Sequence, residues 1–146
     1  MFKRIVVCSD GSDNALRAAR TAAEIAAKFD ADIVLLNVFD PAFATVPFVG
    51  APEAAPSAEI SLRYAEEAQK IIAERTGKVL QEVGVRYKSR CEFGHPVDKI
   101  VSVAEEEQAD LIVLGSRGLG GFQRFLLGSV SDGVLHHAHC PVLIVR

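Results

Sequence analysis

Three cysteines are too few, and odd in number, for a disulfide framework in a chain of 146 residues. Cys8, Cys91 and Cys140 stand mostly in apolar runs, so the expectation is reduced, buried thiols and an intracellular, cytoplasmic setting. No stretch approaches the roughly 18 consecutive apolar residues of a membrane span. The apolar run in the opening MFKRIVVCSDGS is too short for a signal-peptide core, and a turn follows it at once. There is no basic surplus either, since 16 Lys and Arg stand against 19 Asp and Glu for a net charge of −3. That balance argues against non-specific nucleic-acid binding and confines any anion site to a local cluster. With 49% hydrophobic and 24% charged residues the composition is that of an ordinary globular protein. The length suits a single domain, 1–146, able to bury about two-thirds of its unfolded surface.

The chain alternates two kinds of segment. RIVVCSD is a short apolar run closed by a polar turn, the pattern of a strand buried on both faces. Ser12 or Asp13 then caps a helix with Ala15, Ala19, Ala22, Ala26 and Phe29 on one side and Arg17, Arg20, Glu24 and Lys28 on the other. ADIVLLNVF reads as a second buried strand parallel to the first. From about Asp40 to Ser57 the pattern lapses, and four of the six prolines fall there. Loops beyond about 12–15 residues are usually functional or mobile. Phe43, Val46, Phe48 and Val49 make this one either a partner surface or a lid.

A long helix is expected from about Ser57 to Glu82, with Leu62, Ala65, Ile72, Val79 and Leu80 as its apolar positions and Gly77 as a local weakness. VRYKSRCEF alternates as an edge strand, with Val85, Tyr87, Ser89 and Cys91 on one face and Arg86, Lys88, Arg90 and Glu92 on the other. GHP turns into a third helix with Pro96 in its first turn and a Val97, Ile100, Val101, Ala104 stripe. ADLIVLGS is a fourth strand, SVSDGVLHHA a fourth helix and PVLIV a fifth strand. Five strands and four helices in strict alternation imply an α/β fold, an open doubly wound parallel sheet covered on both faces.

In such a sheet ligands sit outside the carboxyl ends of the strands, where the strand order reverses. A reversal between the first and fourth strands, in the order 3-2-1-4-5, sets SDGS (residues 9–12) against GSRGLGG (residues 115–121) across one crevice. The common phosphate motifs are missing. No G-x-x-x-x-G-K-[ST] occurs, and Gly118-x-Gly120 is followed by Gln123 where a dinucleotide fingerprint needs glycine. What is present is Gly115-x2-Gly118-x9-Gly128-Ser129. Physically, Gly115 and Gly118 allow backbone to approach phosphate, while Gly128 and Ser129 open a helix whose amides and dipole favour an anion, Ser129 and Ser131 adding hydroxyls.

That spacing resembles the ATP-binding signature of the universal stress protein family. The likeness extends over nearly the whole chain: Asp10 after the first strand, NVF, GHP, ADLIVLGSRG and the closing HCPVLIVR. The resemblance implies a Rossmann-like sheet of the adenine nucleotide alpha hydrolase type and a site for ATP with Mg²⁺. In that site Asp10 would contact the ribose or a phosphate-bound Mg²⁺, and the backbone of Val38 would read the adenine edge. Gly115, Ser116, Arg117, Gly118, Gly128, Ser129, Val130 and Ser131 would surround the phosphates. It also implies a homodimer through the last strand, an edge that only Arg146 guards.

Other residues invite different chemistry. HHAHC (residues 136–140) lacks the second ligand cluster of a zinc site, and its histidines suit the carbonyls of a helix C-terminus. No Ser-His-Asp or Cys-His order is indicated, and His95 reads as a turn or capping residue. The expected function is nucleotide-dependent regulation of a stress response by binding, with at most slow ATP hydrolysis and with unknown protein partners. Two alternatives stay open: a nucleotide-free dimeric interaction module, and a phospho- or adenylyl-transfer enzyme. The second would need a lysine or histidine near the phosphates, where 115–131 supplies only Arg117 and Arg124.

Overall fold

The computed structural model of the chain describes residues 1–41, 58–116 and 127–146. In chain order the described elements are β1 (Arg4–Cys8), α1 (Asp13–Phe29), β2 (Asp32–Phe39), α2 (Ala58–Val83), β3 (Tyr87–Phe93), α3 (Pro96–Glu106), β4 (Leu111–Gly115), α4 (Ser129–His137) and β5 (Val142–Val145). They form one sheet in the order β3-β2-β1-β4-β5 with every ladder parallel. This is the doubly wound order expected, with its reversal between β1 and β4.

The central strands are apolar throughout because both of their faces are covered. Ile5, Val6 and Val7 have no exposed surface. Ile5 and Val7 join the core beneath α1 and α2, and Val6 joins the core beneath α3 and α4. Helix α1 packs closely because its buried stripe is six alanines, and Ser12 caps it by accepting the Ala15 N–H at 3.2 Å. Phe29, expected in that stripe, is 42% exposed and packs edge-on against Phe2 at the helix end, where the sheet no longer lies beneath it.

Helix α2 departs further from expectation. Its buried positions include Ala65, Gln69, Thr76 and Leu80, whereas Leu62 is exposed. At about 1.5 Å per residue its 26 residues reach roughly 39 Å, against some 23 Å for the seven residues of β3. Its N-terminal part therefore runs past the sheet, and Leu62 has no strand under it. Gly77 has a packing reason: a Cβ there would lie 2.6 Å from the Tyr87 hydroxyl. In α3 it is Val103, not Val101, that is buried beside Ile100 and Ala104.

The charged face of β3 is partly covered. Arg90 is only part-exposed and gathers Glu92, Glu106 and Glu107 around its guanidinium. Cys91 is exposed, against the expectation of a buried thiol, because β3 is an edge strand. Partial desolvation and the neighbouring Glu92 still hold that thiol above its ordinary range. Cys8 and Cys140 are half-buried on the α3/α4 side, and burial pushes both thiols up. Among the described residues no helix is long and apolar enough to cross a membrane.

Candidate functional site

Three segments meet at the carboxyl edge of the sheet, and each is shaped by polar side chains bonded to backbone. At the exit of β1, the Ser9 N–H extends the ladder by donating to Leu36 O at 2.9 Å. The buried Ser9 hydroxyl lies 2.7 Å from the Thr76 hydroxyl and accepts the Gly11 N–H at 3.2 Å. Gly11 has φ +79°, and a Cβ on it would lie 3.1 Å from Ile72 Cγ1, so both conformation and space demand glycine there. Asp10 accepts the Ser12 N–H on Oδ1 at 2.9 Å, which fixes its carboxylate as part of the turn. Arg75 donates to Gly11 O at 3.0 Å and to the Asp13 carboxylate at 3.3 Å. Helix α2 thus grips the β1–α1 turn from above.

The end of β2 is prepared differently. In a parallel ladder a residue's N–H and C=O point to one side and its neighbour's to the other. Leu36 O accepts from Ser9 on the β1 side, and Phe39 O accepts from Gly94 on the β3 side. Val38 therefore turns its N–H and C=O toward β1, beyond Cys8, where β1 has ended. The Ser9 carbonyl, which would continue the ladder toward Val38, accepts the buried Asn37 side-chain amide at 2.7 Å. The main chain of Val38 thus faces the switch point.

At the exit of β4, Ser116 N–H donates to Val145 O at 2.8 Å, and Gly128 N–H donates to Ser116 O at 2.8 Å. The two ends of the glycine-rich segment are joined at its root, which seats the N-terminus of α4 beside the end of β4. Gly128 is the N-cap, with Ser129 as the first helical residue and Val130 packed on the α3/α4 core. The first amides of a helix have no partner within it and face outward from its start.

Two expectations change here. The close approach that Gly115 permits is to α1, since a Cβ on it would lie 3.1 Å from Asn14 C and 3.3 Å from Ala15 N. The Ser131 hydroxyl donates to Gly115 O at 2.7 Å, so its proton holds α4 to β4 rather than pointing outward. Ser116 is buried, and its hydroxyl accepts from the Asn14 side chain at 3.3 Å. Arg117, Gly118 and Arg124 lie outside the described residues.

The structure thus brings Asp10, Val38, Gly115, Ser116, Gly128, Ser129, Val130 and Ser131 to one edge. It adds Asn14, Asn37, Arg75 and Thr76, which the sequence reading passed over. For two of them the signal was an asparagine inside a largely apolar strand and a threonine in the buried stripe of a helix, both costly unless bonded. Elsewhere, His136 and His137 each donate from Nδ1 to a helix carbonyl four residues earlier, at 2.8 Å. His95 occupies the N-cap of α3 without a side-chain capping bond.

These features define an open, doubly wound α/β domain whose polar turns and one helix N-terminus converge at the reversal of strand order. The universal stress protein family model matches residues 1–146. A universal stress protein of Methanocaldococcus jannaschii is 41% identical over all of this chain and 83% of its own length. One of Thermus aquaticus is 39% identical over the full length of both. The chain belongs to the universal stress protein family. Among solved structures, UspA of Lactobacillus plantarum superposes with a TM-score of 0.78 at 28% identity, covering 99% of this chain and 98% of its own. A universal stress protein in complex with cAMP superposes at 0.75 with 29% identity, covering 99% and 97%.

Proposed function

We propose that this chain is an ATP-binding regulator that acts mainly by binding, with the nucleotide lying along the carboxyl edge of the sheet from Val38 to the N-terminus of α4. One observation carries the reading: the main chain of Val38 and the helix start at Ser129 stand on either side of the switch point, with the Asp10 turn between them. The cAMP held by a family member of the same fold supports an adenine nucleotide as the ligand class. The donor set fits Mg·ATP, because helix amides and hydroxyls suit phosphate oxygens and a carboxylate suits a hard cation.

In this reading the main chain of Val38 meets the adenine edge and Asp10 meets the ribose or a phosphate-bound Mg²⁺. Gly115 and Ser116 form the floor beside Arg117 and Gly118. Gly128 opens the helix whose first residues, Ser129, Val130 and Ser131, present amides to the phosphates. Mg²⁺ would supply charge neutralisation of the triphosphate. Turnover is slow at most, and occupancy biases a homodimer formed through β5 and its regulatory partners in the cytoplasm. A single functional domain, 1–146, carries all of this.

Calorimetric titration of Mg·ATP into the wild type and into a Gly118→Val, Gly128→Val double variant, shown by circular dichroism to remain folded, tests the reading. Saturable binding by the wild type that the variant loses is the expected result. No heat at millimolar Mg·ATP overturns it and leaves the interaction module.

A further inference from the structure

Gln69 is the one buried polar side chain whose nitrogen finds no partner among the described residues. The residue is 6% exposed, yet its Nε2 makes no hydrogen bond. A buried amide donor left unmatched is costly, and native chains retain few of them. Its place in the fold suggests what it waits for.

Gln69 lies on the stripe of α2 that carries Ala65, Ile72 and Thr76, and Thr76 meets Ser9 just past the end of β1. Helix α2 joins two parallel strands and so runs against them, which points its N-terminal half beyond their carboxyl ends. Seven residues before Thr76 places Gln69 about 10 Å outside the sheet edge, over the crevice. Helix α2 packs on the face shared with α1, while α4 packs on the opposite face, beyond β4. Gln69 therefore overlooks the β1/β2 end of the crevice, where Val38 presents its main chain, and stands away from the helix N-terminus proposed for phosphate.

We propose that Gln69 reads the base of the bound nucleotide, its Nε2 donating to a ring nitrogen of adenine. A carboxamide carries a donor and an acceptor side by side, which matches a purine ring nitrogen next to the exocyclic amine. Ala65, buried, and Ile72, half-buried against Gly11, lie on either side of it along the stripe and give it apolar neighbours. The inference rests on the nucleotide-binding reading above and assigns the selectivity of that site to a side chain in addition to the main chain of Val38.

The test is titration of the full chain with AMP, and separately with ribose 5-phosphate, using wild type, Gln69→Leu and Gln69→Glu. Gln69→Leu should weaken AMP about 10-fold, the worth of one buried neutral hydrogen bond, and leave ribose 5-phosphate unchanged. Gln69→Glu keeps an acceptor but loses the donor, and should weaken AMP at least as much. The unliganded Gln69→Leu protein should melt no lower than wild type, because an unmatched donor has been removed. Undiminished AMP binding by Gln69→Leu overturns the assignment and leaves nucleotide binding intact. Equal loss of both ligands with a lowered midpoint overturns it too, by making Gln69 a packing residue. Failure of wild type to bind either compound overturns the nucleotide reading together with it.

Discussion

The two edges of the sheet solve one problem in opposite ways. At the amino edge the exposed ends of strands are closed by charge. Asp110 Oδ2 accepts the N–H groups of Lys3 and Arg4 at 2.7 and 2.9 Å, Arg4 donates to Glu107 O, and Arg86 joins Asp30 and Asp32. At the carboxyl edge, beside the charged Asp10 and Arg75 of the β1–α1 turn, four pairs are neutral and mostly buried: Ser9 with Thr76, Asn37 with the Ser9 carbonyl, Asn14 with Ser116, and Ser131 with Gly115. Exposed charge pairs stabilise modestly. Buried neutral bonds hold turns in one shape while main-chain groups of Val38 and α4 stay turned outward.

That contrast predicts unequal sensitivity. The largest effect should come from Gly115→Val, whose side chain would meet the backbone of Asn14 and Ala15, which cannot yield as a side chain could. A cost of about 3 kcal/mol is expected, seen as a thermal midpoint lower by roughly 10 °C, with nucleotide binding lost alongside. A midpoint within a degree of wild type would show that α1 can retreat from β4.

Asn37→Leu comes next. It strips the Ser9 carbonyl of its partner inside the core, for about 2 kcal/mol by chemical denaturation. Because Ser9 and Val38 both depend on that junction, binding should fall more than stability alone accounts for. Equal binding by the folded variant would detach Asn37 from the site.

The smallest effect belongs to the other edge. The N–H groups of Lys3 and Arg4 hold the Asp110 carboxyl below the usual aspartate range. A depressed carboxyl stabilises the fold fully above its unfolded pKa, near 4, and loses that contribution as pH falls through its lower folded value. Asp110→Asn should therefore cost under about 1 kcal/mol at neutral pH, given the group's exposure, and the difference from wild type should shrink as the solution is acidified below pH 4. Binding measured at pH 7 should not change. A stability difference that grows on acidification would reverse the sign assigned to this carboxyl.

Much of the fold was legible along the chain because doubly covered strands and amphipathic helices each leave a period that sequence displays. The buried runs of β1, β2 and β4 and the alanine face of α1 all read correctly. Three of the misreadings share a cause. Leu62 and Phe29 lie where their helices outrun the sheet, and Cys91 lies on a strand with one neighbour. In each case local pattern predicts burial and only the extent of the partner surface denies it.

The chain by itself determined the element order, the parallel sheet and the glycine-containing turn after β1, because these follow from local periodicity and backbone freedom. Tertiary structure alone decided that Gly115 serves the packing of α1, that Ser131 spends its proton on β4, that Asn37 intercepts the Ser9 carbonyl, and that Gln69 stands buried with an unmatched donor above the crevice. The reason is physical. A hydrogen bond joins groups that sequence separates by 16, 28 or 67 residues, and no window along the chain contains both partners until the sheet has brought them together.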